Sequence, residues 1–324
     1  MVDDRELLNL LAQQPSTCFQ LAGLLGVDQS KLTDRLAALQ QAGVAITLDA
    51  EARWTFNSQR SLLDASIIRR VVIPTLWHQV NLLEVSWSID STNTALLDRS
   101  VADTGINILL AEHQFDGRGR RGRRWASPIA TNIYASVSCV LSGNHDRLAG
   151  LSIAAGVAVA EALKHMLPDV AIMLKWPNDV VVADKKLGGI LIEGRRYGSN
   201  KVHTVIGIGI NTYLPPMFAA EIEQPWIDLE TLTGHIIDRN QTIGCILNRL
   251  IPAFQTYEVH GILPFLRRFE PFDSLHGRDI SVKMAGGGPS QSATACGITE
   301  DGGLRLNVNG GERVVHSGEV TVRL

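Results

Sequence analysis

This 324-residue chain has no C-x-x-C pair, no H-E-x-x-H motif and no unbroken apolar run as long as a membrane span. Its four cysteines, Cys18, Cys139, Cys245 and Cys296, lie far apart, which suits reduced core thiols better than a disulfide framework or a zinc site. The most apolar run, Leu148 to Ala160, is broken by small residues, ends at Glu161 and Lys164, and reads as a buried helix too short to span a bilayer. A basic leader is missing as well. MVDDRELLNL opens with acids, which argues against a secretory signal and for a cytoplasmic protein with no membrane partner. Charge is balanced, with 30 Lys and Arg against 33 Asp and Glu and a net charge of -3, so any basic patch acts only locally. What is present is 45% hydrophobic residues, enough for at least one large core and for more than one domain.

Residues 1 to 60 show helical leucine spacing at Leu7, Leu8, Leu10 and Leu11, at Leu21, Leu24 and Leu25, and at Leu32, Leu36 and Leu39. In LLGVDQSKL, Gly26 can end one helix and Asp28 can cap the next, the pattern of a helix-turn-helix. After Gly43, VAITLD and ARWTF alternate enough to form a two-stranded wing. Residues 61 to 270 mix strand candidates (INILLAEH, NIYASVSCVL, DVAIMLKW, DVVVA, GGILIEG, TVIGIGIN) with helices around 92 to 99, 148 to 166 and 241 to 257. Residues 271 to 324 hold DISVKM, ATACGIT, GLRLNV and EVTVRL between Gly-rich turns, as in a small antiparallel β-barrel. The expected class is α+β in three units: 1 to 60, 61 to 270 and 271 to 324.

FDGRGRRGRRW, residues 115 to 125, sets Gly117, Gly119 and Gly122 in G-x-G-x-x-G spacing among Arg118, Arg120, Arg121, Arg123 and Arg124. A dinucleotide fingerprint needs a preceding strand, a helix opening at the third glycine and an acid about 20 residues on. The strand is there, but Pro128 obstructs the helix, the next element reads as a strand, and no suitable acid follows. A nucleic-acid patch explains the arginines but lacks interleaved aromatics. A solvated surface loop leaves five arginines repelling one another unless an anion joins them. The composition favours a nucleotide or acyl-phosphate clamp whose glycines let it wrap a ligand.

In LKWPNDVVVADKKLGGILIE, Lys175 ends a strand, Trp176 to Asp179 makes a turn, and Lys185 and Lys186 fall just before the strand at Gly188 and Gly189. Lysines at two successive strand ends can reach one ligand between them. A carboxylate has no leaving group, and activating it with ATP requires cations that offset phosphate charge while the oxygen approaches. Singly, each lysine reads as a surface residue and Asp179 as a turn former. Their pairing with the arginine stretch favours chemistry.

Ser88 to Asn93, Gln114, Gly117 to Trp125, Lys175 to Asp179, Lys186 to Leu191 and Gly207 to Asn211 together resemble the biotin protein ligases of bacteria, in the longer form that carries a winged helix. GRGRRGRxW followed some 50 residues later by KWPND is specific to that family. The resemblance implies a two-step enzyme with an SH3-like C-terminal barrel. Biotin and MgATP give biotinoyl-adenylate and pyrophosphate, and the acyl group passes to a lysine of the carboxyl carrier of acetyl-CoA carboxylase. Ser91, Thr92, Asn93 and Gln114 would line the biotin site, with Arg118, Gly119 and Arg120 on its carboxylate side. Lys186 would bind that carboxylate, and Lys175 would face the ATP phosphates. Arg121, Trp125, Asn178, Asp179, Asn211 and Trp226 would serve ATP or adenylate. No metal-ligand set is assigned, and Mg2+ enters with ATP.

The residue chemistry agrees: a Ser-Thr-Asn run and a Gln amide supply donors and acceptors for a ureido ring. Gly188, Gly189 and Gly207 to Ile210 can form an apolar slot. The plainer alternatives are a helix cap at Ser91 to Asn93 and tight packing at the glycines. A lipoate or other carboxylate ligase of similar architecture is the alternative enzyme. In repressor members of the family the first unit meets operator DNA, here through Gln29, Ser30, Lys31 and Arg35, in a homodimer carrying adenylate. Residues 1 to 60 hold five basic and seven acidic side chains, a net of -2, a poor balance for gripping phosphates and one that leaves room for a vestigial module.

Overall fold

Leucine spacing near the N-terminus produces three helices, α1 (Asp4–Gln13), α2 (Cys18–Leu25) and α3 (Gln29–Gln41), with short strands β1 (Ser16–Thr17), β2 (Ile46–Leu48) and β3 (Arg53–Phe56). The structure, a computed structural model, describes residues 3–56, 60, 62–219, 222–284, 290–316 and 320–323. Gly26 ends α2 in the left-handed region at φ 63°, and Asp28 caps α3 by accepting from the Ser30 and Lys31 amides. The sheet order is β1-β3-β2, so the two wing strands do pair, and β1 adds a third that the sequence did not announce. Leu7, Leu8, Leu11, Leu21, Leu32, Leu36 and Leu39 form the buried core of this segment, whereas Leu24 is exposed. Leu62 and Ala130 join that core, which carries it onto the central part of the chain.

Next come α4 (Ala65–Val71), β4 (Val80–Ile89), α5 (Thr92–Asp98), β5 (Ile106–Gln114), β6 (Ile133–Ser142) and α6 (Arg147–Met166). Then follow β7 (Met173–Lys175), β8 (Asp179–Val182), β9 (Lys185–Tyr197), β10 (Lys201–Ile210), α7 (Pro216–Ala219), α8 (Leu229–Thr233), α9 (Arg239–His260) and α10 (Leu263–Phe269). The seven central strands form a mixed sheet in the order β4-β5-β6-β10-β9-β8-β7, parallel at β4–β5 and antiparallel elsewhere. Alternation along β5 sends Ile108 and Leu110 to the core under α6 and α9, and Leu109 to a smaller cluster under α5.

α6 runs beyond the apolar stretch that marks it. By length and composition it is long enough to cross a membrane, contrary to the expectation of a short run, but 72% of its apolar window is buried inside the fold. DVAIMLKW supplies a strand only over its last residues, and β9 begins at Lys185, so both lysines lie within that strand rather than before it. The cysteines are free as expected, and burial pushes the Cys139 thiol up to about 12.

At the C-terminus β11 (Asp279–Met284), β12 (Gln291–Ile298), β13 (Leu304–Val308), β14 (Gly311–Val315) and β15 (Val320–Arg323) form an antiparallel sheet in the order β14-β13-β12-β11-β15. Among the described residues the strand order runs from β14 at one end to β15 at the other. Ile280, Ala295, Leu304 and Leu306 merge with the central core, and the Trp176 indole donates 2.9 Å to the Gly302 carbonyl.

Candidate anion-binding active site

A cleft of about 1230 Å³ opens on the α5 face of the central sheet, large enough for two ligands side by side. Its floor is glycine. Gly209 faces Gly189 across β10 and β9, and Gly207 faces Ser136 across β10 and β6. A Cβ at Gly209 would lie 2.6 Å from the Trp125 indole, and one at Gly207 would collide with the Asn93 carboxamide. The close-packing reading of these glycines holds, and the groups packed on them line the cleft.

Thr92 and Asn93 open α5, but their side chains bond across the sheet. Gln114 Oε1 accepts from the Thr92 amide at 2.9 Å and its hydroxyl at 3.1 Å, while Gln114 Nε2 donates to Ser127 Oγ at 3.2 Å. Ser136 Oγ lies 2.6 Å from both Thr92 Oγ1 and Asn93 Oδ1, and Asn93 Nδ2 donates to Glu193 Oε2 at 2.8 Å. Ser91 sits at the cap position, buried, with no side-chain capping bond. The helix-cap reading of this triplet therefore does not describe it. The result is a buried lattice of hydroxyls and amides at one end of the cleft.

The arginine stretch folds as a hairpin rather than an open loop. Trp125 N donates to Gly117 O at 2.8 Å, Gly119 N to Arg123 O at 2.7 Å, and Arg123 N to Arg120 O at 3.3 Å. Arg121 and Gly122 both take positive φ, 58° and 71°, the geometry of a hairpin turn that Gly favours. No helix follows Gly122, which removes the dinucleotide reading. The hairpin lays Trp125 on the glycine floor and turns Arg118 and Arg120 over the cleft. Arg118 Nη2 pairs with Glu193 at 3.3 Å, and Arg120 Nη1 donates to Asn178 Oδ1 at 3.0 Å. Burial, with Arg121 beside it, holds the Arg120 guanidinium below its usual range.

At the other end Lys186 Nζ pairs with Asp179 at 2.7 Å and stands 5.4 Å from the Trp125 ring centroid. Burial holds the Lys175 ammonium below the usual lysine value, and among the described residues Lys175 forms no ion pair. Arg118, Arg120, Arg121, Arg123, Arg124, Lys175 and Lys186 line the cleft against Asp179, Asp184 and Glu223. Seven cations facing three carboxylates make a site for anions. The Trp125 indole N–H is buried at this cleft without a partner among the described residues, a donor that an acceptor on a ligand would satisfy.

The cleft thus gathers Ser91, Thr92, Asn93, Gln114, Arg118 to Arg121, Trp125, Lys175, Asn178, Asp179 and Lys186. It does not gather Asn211 or Trp226. The Asn211 amide donates to the Lys186 and Ile227 carbonyls, and Trp226 bridges Lys186 through its backbone. Ser127, Ser136 and Glu193 join the site without having been anticipated. None of the three had a local signal, and Ser136 shares its strand with Ser138 and Ser142. Gln29, Ser30 and Lys31 are exposed at the start of α3, but Arg35 donates 2.6 Å to the buried Asp4 carboxylate, which also accepts from Trp87.

A polar lattice at one end of a cleft, an aspartate-paired lysine at the other and an arginine hairpin above make a site for an anionic ligand that also hydrogen-bonds, the kind of site a ligase uses. Residues 85–211 match the biotin/lipoate A/B protein ligase family, and residues 275–323 match the biotin protein ligase C-terminal domain. The chain is 31% identical to the bifunctional ligase/repressor BirA of Escherichia coli over 94% of its own length and 92% of that protein. It is 32% identical to the biotin--[acetyl-CoA-carboxylase] ligase of Mycobacterium tuberculosis, over 75% of this chain and 89% of that one. The solved biotin protein ligase of Aquifex aeolicus in complex with biotin and ATP overlays with a TM-score of 0.62 at 28% identity, covering 75% of this chain and 98% of that one. The chain belongs to the biotin protein ligase family.

Proposed function

We propose that the protein activates biotin with MgATP and transfers the acyl group to a lysine on the biotin carboxyl carrier of acetyl-CoA carboxylase. A biotin carboxylate oxygen attacks the α-phosphorus, the bond to the β-phosphate oxygen breaks, and pyrophosphate leaves. The carrier amine then attacks the acyl carbon, loses its proton as the amide forms, and AMP departs. The observation that carries this reading is the juxtaposition of the Thr92–Asn93–Gln114 lattice with Lys186 beneath Trp125. The lattice suits a ureido ring, Lys186 the carboxylate, and Arg120 and Lys175 the phosphates.

Asn178 fits this scheme by aiming Arg120: its Nδ2 donates to the Ile190 carbonyl at 2.8 Å, which leaves its Oδ1 for the guanidinium. Asn211 and Trp226 fit as supports for the Lys186 backbone. Among the described residues no three His, Cys, Asp or Glu side chains converge, which suits Mg2+ held mainly by the triphosphate, with Asp179 and Asp184 the carboxylates at hand. There it would offset phosphate charge. A competition assay with biotin and lipoate tests the substrate; incorporation of lipoate at a rate matching biotin would overturn the choice.

The division into units at residues 60 and 270, a winged-helix first unit, an SH3-like last unit, a cytoplasmic location and an adenylate-dependent homodimer belong to the same reading. The sequence of α2, Gly26 and α3 beside paired β2 and β3 favours a second role, repression at a biotin operator. The BirA relatives are named as repressors. Arg35 is committed to Asp4, so Lys31 would be the cation left on α3 for phosphate. A promoter fragment of the biotin genes should shift at low salt with adenylate present; no shift there leaves the first unit vestigial.

A further inference from the structure

The polar lattice beneath the cleft is joined by hydrogen bonds that can run in only one direction. Glu193 Oε2 lies 2.8 Å from Asn93 Nδ2, and a carboxylate oxygen only accepts, so the Asn93 amine points to it and the Asn93 oxygen points away. The second amine hydrogen turns toward the Leu191 carbonyl at 3.4 Å. The Asn93 oxygen lies 2.6 Å from Ser136 Oγ, and since an amide oxygen donates nothing, the one Ser136 hydrogen goes there. Ser136 Oγ also lies 2.6 Å from Thr92 Oγ1, a contact that only the Thr92 hydrogen can then close. The Gln114 oxygen, 3.1 Å from that hydroxyl, is left chiefly to the Thr92 amide at 2.9 Å, and Gln114 Nε2 donates onward to Ser127. Gly207 stands opposite Ser136 across β10 and β6, and its missing side chain gives the Asn93 carboxamide its space.

We infer that Ser136 is a positioning residue that sets the pattern of donors and acceptors the lattice shows to a ligand. It is fully buried, so its action passes through Thr92 and Asn93, which do line the cleft. With both hydroxyl hydrogens turned inward along the series, Thr92 Oγ1 and Asn93 Oδ1 offer lone pairs, and Gln114 Nε2 has a second hydrogen beyond the one given to Ser127. Such a wall suits a ring that carries N–H groups beside a carbonyl. Glu193 is the end of the series that stops it reversing, because a flipped Asn93 would set its oxygen against a carboxylate. That the ring is the ureido ring of biotin rests on the ligase reading; the direction of the bonds does not.

Ser138 supplies the control. It lies two residues along β6 on the same face, is equally buried, and its hydroxyl has no partner among the described residues. In biotin-dependent pyrophosphate exchange, Ser136→Ala should raise the KM for biotin about two- to tenfold, the worth of one neutral hydrogen bond, with kcat nearly unchanged. Ser138→Ala should leave KM where it is. Glu193→Gln still offers Asn93 an acceptor and should stay close to wild type, whereas Glu193→Ala offers none and should match Ser136→Ala. An equal rise in KM for the two serine variants, or a Glu193→Gln as impaired as Glu193→Ala, overturns the assignment.

Unfolding midpoints of the full-length protein in urea read the series independently of exchange. Ser136→Ala and Glu193→Ala act on the one Asn93 carboxamide, so the double variant should lose less stability than the two single losses added together. If Glu193→Ala does not fold, Asn93→Ala takes its place in the cycle. Losses that simply add overturn the series. Exchange absent from the wild-type protein would instead remove the ligase reading, and the unfolding cycle would still decide whether Ser136 and Glu193 act as one.

Discussion

Lys186 answers two partners at once, paired to Asp179 while standing over the face of Trp125. A cation so held is aimed before charge develops, and Lys186→Ala should cost adenylation about 3 kcal/mol, roughly a hundredfold in rate. A near-normal rate in single-turnover adenylation would defeat its role. Lys175 is different, because burial lowers its pKa from 10.5 and no ion pair compensates among the described residues. The grip on phosphate proposed for Lys175 needs the ammonium form, so ATP affinity should fall as pH rises through that lowered value, and ATP binding should take up protons. Calorimetry in buffers of unlike ionisation heat checks the uptake, and Lys175→Gln should abolish it. Between the lowered value and the unfolded one, the folded chain binds fewer protons than the unfolded chain, so this residue's contribution to stability rises with pH. Lys175 and Lys186 were legible in the sequence through KWPND and KKLGG. Ser127, Ser136 and Glu193 were not, because one sits in the loop before β6 and the others on β6 and β9, and only the folded sheet brings them to Asn93 and Gln114.

Among elements, the hairpin and the glycine floor carry the most information. Gly209 gives the Trp125 ring its seat, and Gly209→Ala would place a methyl 2.6 Å from that ring. A displacement of about 1 Å at such a site costs on the order of a hundredfold, and exchange activity should fall that far while the unfolding midpoint barely moves. Equal loss of both would show that the glycine serves packing alone. Arg120→Gly should loosen the hold on adenylate, and biotin should then appear on bystander lysines. Labelling confined to the carrier would contradict that. The sequence announced β5, β6, β8, β9 and β10 through their β-branched runs. It hid β4, an edge strand with polar residues at both faces, and β14, whose GERVV is nearly all exposed. It also showed the glycines and arginines of the hairpin without its turn, since that depends on Arg121 accepting positive φ.

At the scale of the whole molecule, one buried ion pair ties distant parts of the chain. Arg239, at the start of α9, donates 2.6 Å to Glu112 of β5 and 3.1 Å to the Asn132 carbonyl, and Glu112 also accepts from the Leu63 amide just before α4. Both side chains are almost fully buried. Arg239→Ala would leave a carboxylate uncompensated and should cost about 3–5 kcal/mol, seen as a lower unfolding midpoint in denaturant. An unchanged midpoint would mean that water or another cation reaches Glu112. The first segment also touches the chemistry. Ala42 reaches the rim of the cleft, and Gly43 packs against Pro215 and Phe218. Composition could not show this, because the contact joins residues that lie 172 positions apart in the chain, such as Gly43 and Pro215.

The central measurement is exchange of labelled pyrophosphate into ATP by the purified protein, with magnesium and biotin and without any carrier. Biotin-dependent exchange that lipoate does not support is the expected result, and it makes the arginine hairpin an adenylate clamp. No exchange with biotin under these conditions would contradict the ligase reading and leave the N-terminal helices as the better guide to function.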